Sequence, residues 1–297
     1  MALMNILDAI NNTLDQQLEK DPTVVVFGED AGFTGGVFRA TAGLQKKYGV
    51  ERVFDTPIAE AAIIGSGIGM AVAGLKPVAE IQFSGFMFPG YNEIVTHAAR
   101  MRNRSRGKYH VPLVVRMPYG GGIRALEHHS ESLDVLFGHI PGLKLVVPST
   151  PYDAKGLLAS AIQDPDPVIF MEPKRIYRAF KQEVPEEEYF IPLGKAKVVN
   201  PGTDITVVAW GPFVREVQNA IKLIENDNIS VELIDLRTIA PIDYETIVES
   251  VKKTGRLLVV HEAYKSFGPG AELISIVNER AFVYLQAPPT RLAGADI

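Results

Sequence analysis

The sequence predicts an α/β protein of two domains, and three observations carry that prediction. Short, continuously apolar runs of strand length alternate along nearly the whole chain with longer stretches of helical period. The runs lack an apolar/polar alternation, as expected of parallel strands covered on both faces by helices. At 297 residues, 46% hydrophobic and 22% charged, the chain has the composition of a globular protein and exceeds what one core usually supports.

Each element follows from local chemistry. Leu3, Ile6, Leu7, Ile10, Leu14 and Leu18 fall on one stripe among Asn, Asp and Gln, giving an amphipathic first helix. Residues 23–27 form a buried strand ending at Gly28-Glu29-Asp30, the carboxyl edge where α/β proteins place their sites. A Gly- and Ala-rich helix at 59–73, a strand near Val78, a helix at 91–106 and a strand at 113–115 follow. Residues 143–147 are another strand, after which Ser149-Thr150-Pro151 opens a helix with a capping hydroxyl and proline in the first turn. A strand at 168–171 closes the first unit, and the Pro-, Lys- and Glu-rich stretch after it has no sustained period. The expected organisation is a domain at 1–175, a linker at 176–192 and a smaller domain at 193–297. The smaller domain alternates strands at 205–209, 231–234, 257–260 and 289–292 with helices at 212–225, 244–253 and 270–281. The chain is expected to end short after that last strand.

Bulk properties exclude several classes of function. The formal net charge is −5 at pH 7, and no basic patch is available to neutralise a phosphate backbone, which argues against nucleic acid. With no cysteine, the chain has no disulfide, thiolate catalyst or thiolate metal site. The first twenty residues lack a signal peptide's unbroken apolar core, and no stretch reaches the roughly 18 apolar residues of a membrane span. A soluble, cytoplasmic protein is expected.

Candidate chemistry gathers at Asp55-Thr56-Pro57-Ile58-Ala59-Glu60, where a carboxylate opens a helix of small and apolar residues. Glu60 could equally serve the helix dipole, which favours acids in the first turn. Gly65, Gly67 and Gly69 do not complete GxGxxG, because Met70 and Val72 stand where the third glycine is needed, so a nicotinamide enzyme is poorly supported. These small residues instead suit a close approach of helices, as at a subunit interface. His128 and His129 lie in a loop whose glycines, Gly120, Gly121 and Gly122, suggest a mobile cleft rim.

Gly28-Glu29-Asp30, Asp55 to Glu60, Ala79-Glu80-Ile81-Gln82-Phe83, His129-Ser130-Glu131-Ser132, Val147 to Leu158 and Asp235-Leu236-Arg237-Thr238 occur in order along essentially the whole chain. Together they resemble the beta subunits of thiamine-diphosphate-dependent 2-oxo acid dehydrogenases of the pyruvate and branched-chain types. The resemblance implies a transketolase-like pyrimidine-binding domain followed by a transketolase-like C-terminal domain. It implies that Glu60 hydrogen-bonds the cofactor's aminopyrimidine, that Phe86 lies against that ring, that Glu29 stands behind them, and that His129 rather than His128 assists proton transfer and acyl hand-off. It also implies a structural K⁺ at the turn of Ala161, Asp164 and Asp166, although relatives often have asparagine where Asp166 stands and a plain Asp-Pro turn is the competing reading.

Thiamine enzymes hold the diphosphate through Mg²⁺ on a Gly-Asp-Gly segment, and none occurs in this sequence. The resemblance therefore implies half an active site, completed by an alpha subunit in an α2β2 heterotetramer that passes an acyl group to a lipoyl acyltransferase component. The substrate would be a 2-oxo acid, pyruvate or a branched-chain acid. A non-catalytic interaction subunit of the same fold is the alternative.

Overall fold

The structure, a computed structural model, describes residues 1–297. The first half contains β1 (Ala2–Met4), α1 (Ile6–Lys20), β2 (Val24–Gly28), α2 (Leu44–Tyr48), β3 (Val53–Asp55), α3 (Glu60–Val72), β4 (Lys76–Glu80), α4 (Phe88–Thr96) and α5 (Met101–Arg104). It continues through β5 (Val114–Tyr119), α6 (Asp134–Gly138), β6 (Lys144–Val146), α7 (Pro151–Gln163), β7 (Val168–Pro173) and β8 (Gln182–Val184). The second half contains β9 (Lys197–Asn200), β10 (Ile205–Ala209), α8 (Pro212–Leu223), β11 (Val231–Asp235), β12 (Thr238–Ala240), α9 (Tyr244–Thr254), β13 (Leu257–Tyr264), α10 (Pro269–Ala281) and β14 (Thr290–Gly294).

Two mostly parallel sheets result. The first has the order β12-β6-β7-β5-β4-β2-β3, and the second β14-β13-β10-β11-β9. Helix α1 starts on a reciprocal cap, in which Asn5 accepts from the Asp8 N–H at 2.9 Å and Asp8 accepts from the Asn5 N–H at 3.1 Å. Its Ile6, Ile10, Leu14 and Leu18 are buried in one cluster with Leu157, Leu158 and Ile162 of α7, covering one face of the first sheet. Helices α3 and α4 cover the opposite face. There the core runs on from Phe27, Ile64 and Val115 through Leu145 and Trp210 to Ile234 and Leu273, so the two halves share one apolar interior.

Three features depart from the sequence reading. The expected helix at 91–106 is broken into α4, a 3₁₀ turn at Ala98–Arg100 and α5. Tertiary packing overrides the local period here: Gly142 presses on the Ala99 carbonyl with no room for a Cβ. The carbonyls released at the break are taken by side chains, Arg100 Nε donating to Val95 O and Arg104 Nη2 to Thr96 O, both at 3.0 Å. Residues 176–192 are not free-standing, since β8 pairs antiparallel with β1 and Ile176, Tyr177, Val184 and Ile191 are buried on the first half. Finally, Thr238–Ala240 crosses from the second half to form an antiparallel edge strand on β6, tying the halves together through backbone hydrogen bonds.

Candidate active site

The candidate residues collect at the carboxyl edge of the first sheet, where parallel strands end in loops. Strands β2 and β3 run in parallel with Gly28 opposite Asp55, which brings the segment carrying Glu29 beside the one leading to Glu60. Asp55 stitches them together, its carboxylate accepting the Gly32 N–H at 2.7 Å and the Phe33 N–H at 3.0 Å. Glu60 is the first residue of α3, partly buried, with no side-chain cap on the helix start. Glu29 is partly buried as well. Burial raises its carboxyl above the usual carboxylate range, the negative charges of Asp30 and Glu60 raise it further, and the nearby Gln82 amide opposes them.

Phe86 sits in the 3₁₀ turn Ser84–Phe86 that follows β4, and α4 then packs on the first turn of α3. Gly90 makes this possible, because an added Cβ there would come within 3.0 Å of the Glu60 carbonyl. The ring of His129 lies edge-on to Phe86, with centroids 5.0 Å apart, and to Phe83 at 4.7 Å. Its Nδ1 lies 3.3 Å from the Glu127 carbonyl, a contact that favours the Nδ1–H tautomer and leaves Nε2 as an acceptor. His128 is different: it is exposed, and its φ of 66° turns the backbone against Gly85, which has no room for a Cβ beside it. The structure thus sets the segments of Glu29 and Glu60 side by side and packs Phe86 against His129.

Asp164 and Asp166 lie on the loop between α7 and β7, at the opposite edge of the sheet. Lys144 Nζ donates to both Asp164 oxygens, at 2.6 and 2.7 Å, and Arg102 Nε donates to Asp166 at 2.6 Å. The Ala161 carbonyl accepts the Asp164 N–H at 3.3 Å. Both carboxylates are therefore already neutralised by cationic side chains, and an alkali ion would have to share them.

Sequence reading missed a buried ion network beneath the site. Arg116 on β5 donates from Nε to Glu172 at 2.7 Å and from Nη1 to Glu80 at 2.9 Å, while the Tyr177 hydroxyl donates to the other Glu172 oxygen at 2.5 Å. All four residues are buried. Burial pushes the Glu80 carboxyl up and the Arg116 charge opposes that rise. The available signal was a charged residue inside each of three apolar strands. Gly36 closes over Glu80 with no room for a Cβ, so this network also shapes the loop after Glu29. Also missed was Asp134, wholly buried behind the histidine loop and bonded to Trp210 of the second half.

Apolar side chains left exposed surround the site. Phe33 is 89% exposed, Ile58 76%, Phe88 51% and Leu126 79%, and each belongs to a segment that carries or adjoins a site residue. The outer face of α3 presents Ala61, Ala62, Ser66 and Gly69 to solvent, and a Cβ at Gly65 or Gly69 would meet nothing within 4 Å.

Comparison with known proteins agrees with this geometry. Residues 3–179 match the family model of the transketolase pyrimidine binding domain, and residues 194–297 match that of the transketolase C-terminal domain. A protein of Acholeplasma laidlawii named pyruvate dehydrogenase E1 component subunit beta is 71% identical over 297 residues, covering 100% of this chain and 91% of the relative. Proteins of the same name from Mycoplasma pneumoniae and Bacillus subtilis are 57% identical (99% of this chain, 90% of the relative) and 50% identical (100% and 91%). Among solved structures, a chain described as split gene transketolase, inactive beta4 tetramer, superposes with a TM-score of 0.81 at 21% identity, over 99% of this chain and 89% of the other, a likeness of fold. The chain belongs to the transketolase-like family of pyruvate dehydrogenase E1 component beta subunits.

Proposed function

We propose that this chain supplies the pyrimidine half of a thiamine diphosphate site, completed by an alpha subunit in an α2β2 heterotetramer. The assembly decarboxylates a 2-oxo acid oxidatively and passes the acyl group to the lipoyl group of an acyltransferase component. We take pyruvate as the substrate, because the similar relatives that cover the whole chain carry that substrate in their names.

The observation that carries the reading is the placing of the Glu29 and Glu60 segments side by side, and of Phe86 against His129, along one apolar-rimmed sheet edge. These residues fit the cofactor. Glu60 would hydrogen-bond the aminopyrimidine nitrogen, and the raised Glu29 beside it would limit how much negative charge accumulates there. Phe86 would offer an aromatic face to a heterocycle. Bound thiamine diphosphate would supply a carbanion centre that attacks the 2-oxo carbon and holds the electrons left by departing CO₂. His129, with Nε2 unbonded within the chain, would hold or move a proton at the reacting oxygen.

The diphosphate and its Mg²⁺ would lie on the alpha subunit, since the sequence lacks Gly-Asp-Gly. Exposed Phe33, Ile58, Phe88 and Leu126 and the small-residue face of α3 are then the surface which that subunit covers. A potassium ion at Ala161, Asp164 and Asp166 would add little, given Lys144 and Arg102, so the melting midpoint should match in KCl and NaCl. The reading places the complex in the cytoplasm; no helix is long and apolar enough to cross a membrane.

Isothermal calorimetry of Mg²⁺-thiamine diphosphate with the purified chain, alone and with its alpha subunit, tests the division of labour. Weak binding alone and tight binding with CO₂ release from pyruvate after reconstitution are expected. Tight binding by the isolated chain would overturn the placement of the diphosphate.

A further inference from the structure

We infer that Glu262, contributed by β13 of the second half, is a positioning residue for His129, gripping the stem of the loop that carries it. The inference rests on the reading of His129 as an active-site residue. The stem is Gly120-Gly121-Gly122, directly after β5. Glu262 Oε1 accepts the Gly121 N–H at 2.6 Å. The carboxylate lies so close to Gly120 that a Cβ there has no space, and Gly120 has a φ of 83°, which only glycine adopts without strain.

A cation stands on the other side of the same stem. Buried Lys174, from the turn after β7, donates from Nζ to the Gly120 carbonyl and lies 5.9 Å from the centroid of Phe83, one of the two rings that pack edge-on to His129. The far end of the loop returns to the same place, where the Glu131 carbonyl accepts the Gly120 N–H at 2.8 Å and the Ser84 hydroxyl at 3.0 Å. Arg175, paired with Glu216 of α8 at 2.8 Å, crosses Gly122 closely enough that a Cβ would meet its Cδ at 2.7 Å. Within the loop, the Ser130 hydroxyl donates to the Ala125 carbonyl at 2.7 Å, while Ile123, Arg124 and Leu126 project into solvent.

The loop therefore holds to the molecule at its stem and at His129 itself, and the only carboxylate gripping a stem amide comes from the other half of the chain. Without Glu262, the Gly121 amide loses its acceptor. The loop then gains freedom at its hinge, and His129 spends less time against Phe83 and Phe86.

The test uses the full chain, alone and assembled with its alpha subunit, as wild type, Glu262→Ala and Glu262→Gln. Hydrogen exchange of the amides of 121–130, kcat and the KM for pyruvate are measured. Glu262→Ala should speed exchange in 121–130 roughly tenfold, the size of one lost hydrogen bond to a charged group, leave other segments unchanged, and lower kcat by a similar factor with KM held within about twofold. Glu262→Gln keeps an oxygen to accept the Gly121 N–H and should recover most of both losses. Exchange that is unchanged, or that rises evenly through the chain, would overturn the inference, as would faster loop exchange with kcat intact. If no assembly turns over pyruvate, the functional reading fails instead, while exchange on the chain alone still decides whether Glu262 grips the loop.

Discussion

Replacing Asp134 with asparagine isolates the energetics of one buried carboxyl at the base of the histidine loop. Asp134 is 1% exposed, accepts one hydrogen bond from Trp210 Nε1 at 3.2 Å and leaves its second oxygen without a partner in the chain. Burial is the largest influence on it and raises its pKa from 3.8 to about 7; the Trp210 bond opposes the rise and the charge of Glu262 adds to it. The folded protein therefore keeps a proton that the unfolded chain has released, and the stability this gives is complete below about pH 4 and lost as the pH climbs through 7. The separation between the two values corresponds to about 4 kcal/mol, an upper figure because a buried site relaxes on ionisation. Asparagine stays neutral at every pH and still offers an oxygen to Trp210, but its NH₂ group brings an unpartnered donor that costs about 1–3 kcal/mol throughout. We predict that D134N gains on wild type by as much as about 3 kcal/mol between pH 5 and pH 8, most of it below pH 7. Urea unfolding at pH 5, 6, 7 and 8 measures the difference. Asp235, also raised to about 7, is common to both proteins and cancels. A constant offset between the two proteins across that range would refute the assignment of a buried, protonated Asp134.

Three further outcomes follow from the site and its support. Glu60→Gln should assemble with the alpha subunit yet lose nearly all exchange of the C2 proton of bound thiamine diphosphate, because an amide cannot answer the charge change on the pyrimidine; NMR-monitored deuterium exchange at the wild-type rate would remove Glu60 from that role. His129→Ala should cut kcat by roughly a hundredfold while cofactor affinity by calorimetry changes little, and His128→Ala, on an exposed outward turn, should do neither; the reverse pattern would exchange their roles. Arg116→Ala leaves Glu80 and Glu172 buried with no countercharge and should cost about 3–5 kcal/mol; an unchanged melting midpoint by calorimetry would show that the network contributes nothing.

The sequence by itself determined the architecture and picked out a set of candidate site residues. Continuously apolar strands such as residues 24–27 and 168–171, alternating with amphipathic helices such as α1 and α8, admit little other than parallel α/β layers, because period and burial are local properties. Glu29, Glu60, Phe86 and His129 were legible as candidates because short motifs in or beside which they stand resemble those of a known family, and the structure sets them along one sheet edge. Long-range relations were beyond that reading. Glu262 lies 141 residues from the amide it binds, and its own surroundings, the end of an apolar strand, say nothing of a glycine stem elsewhere. Arg116, Glu80 and Glu172 look like isolated charges until three strands set them side by side, and only their mutual neutralisation makes their burial tolerable. Likewise, the break in the 91–106 helix at Ala98 and the crossing of 238–240 onto β6 were decided by packing: an approach of Gly142 to Ala99 and an unfilled sheet edge at β6 outweigh local preference. Local pattern fixes which segments are helix or strand and where a loop must carry chemistry, whereas partners distant in sequence are chosen by what the fold buries together.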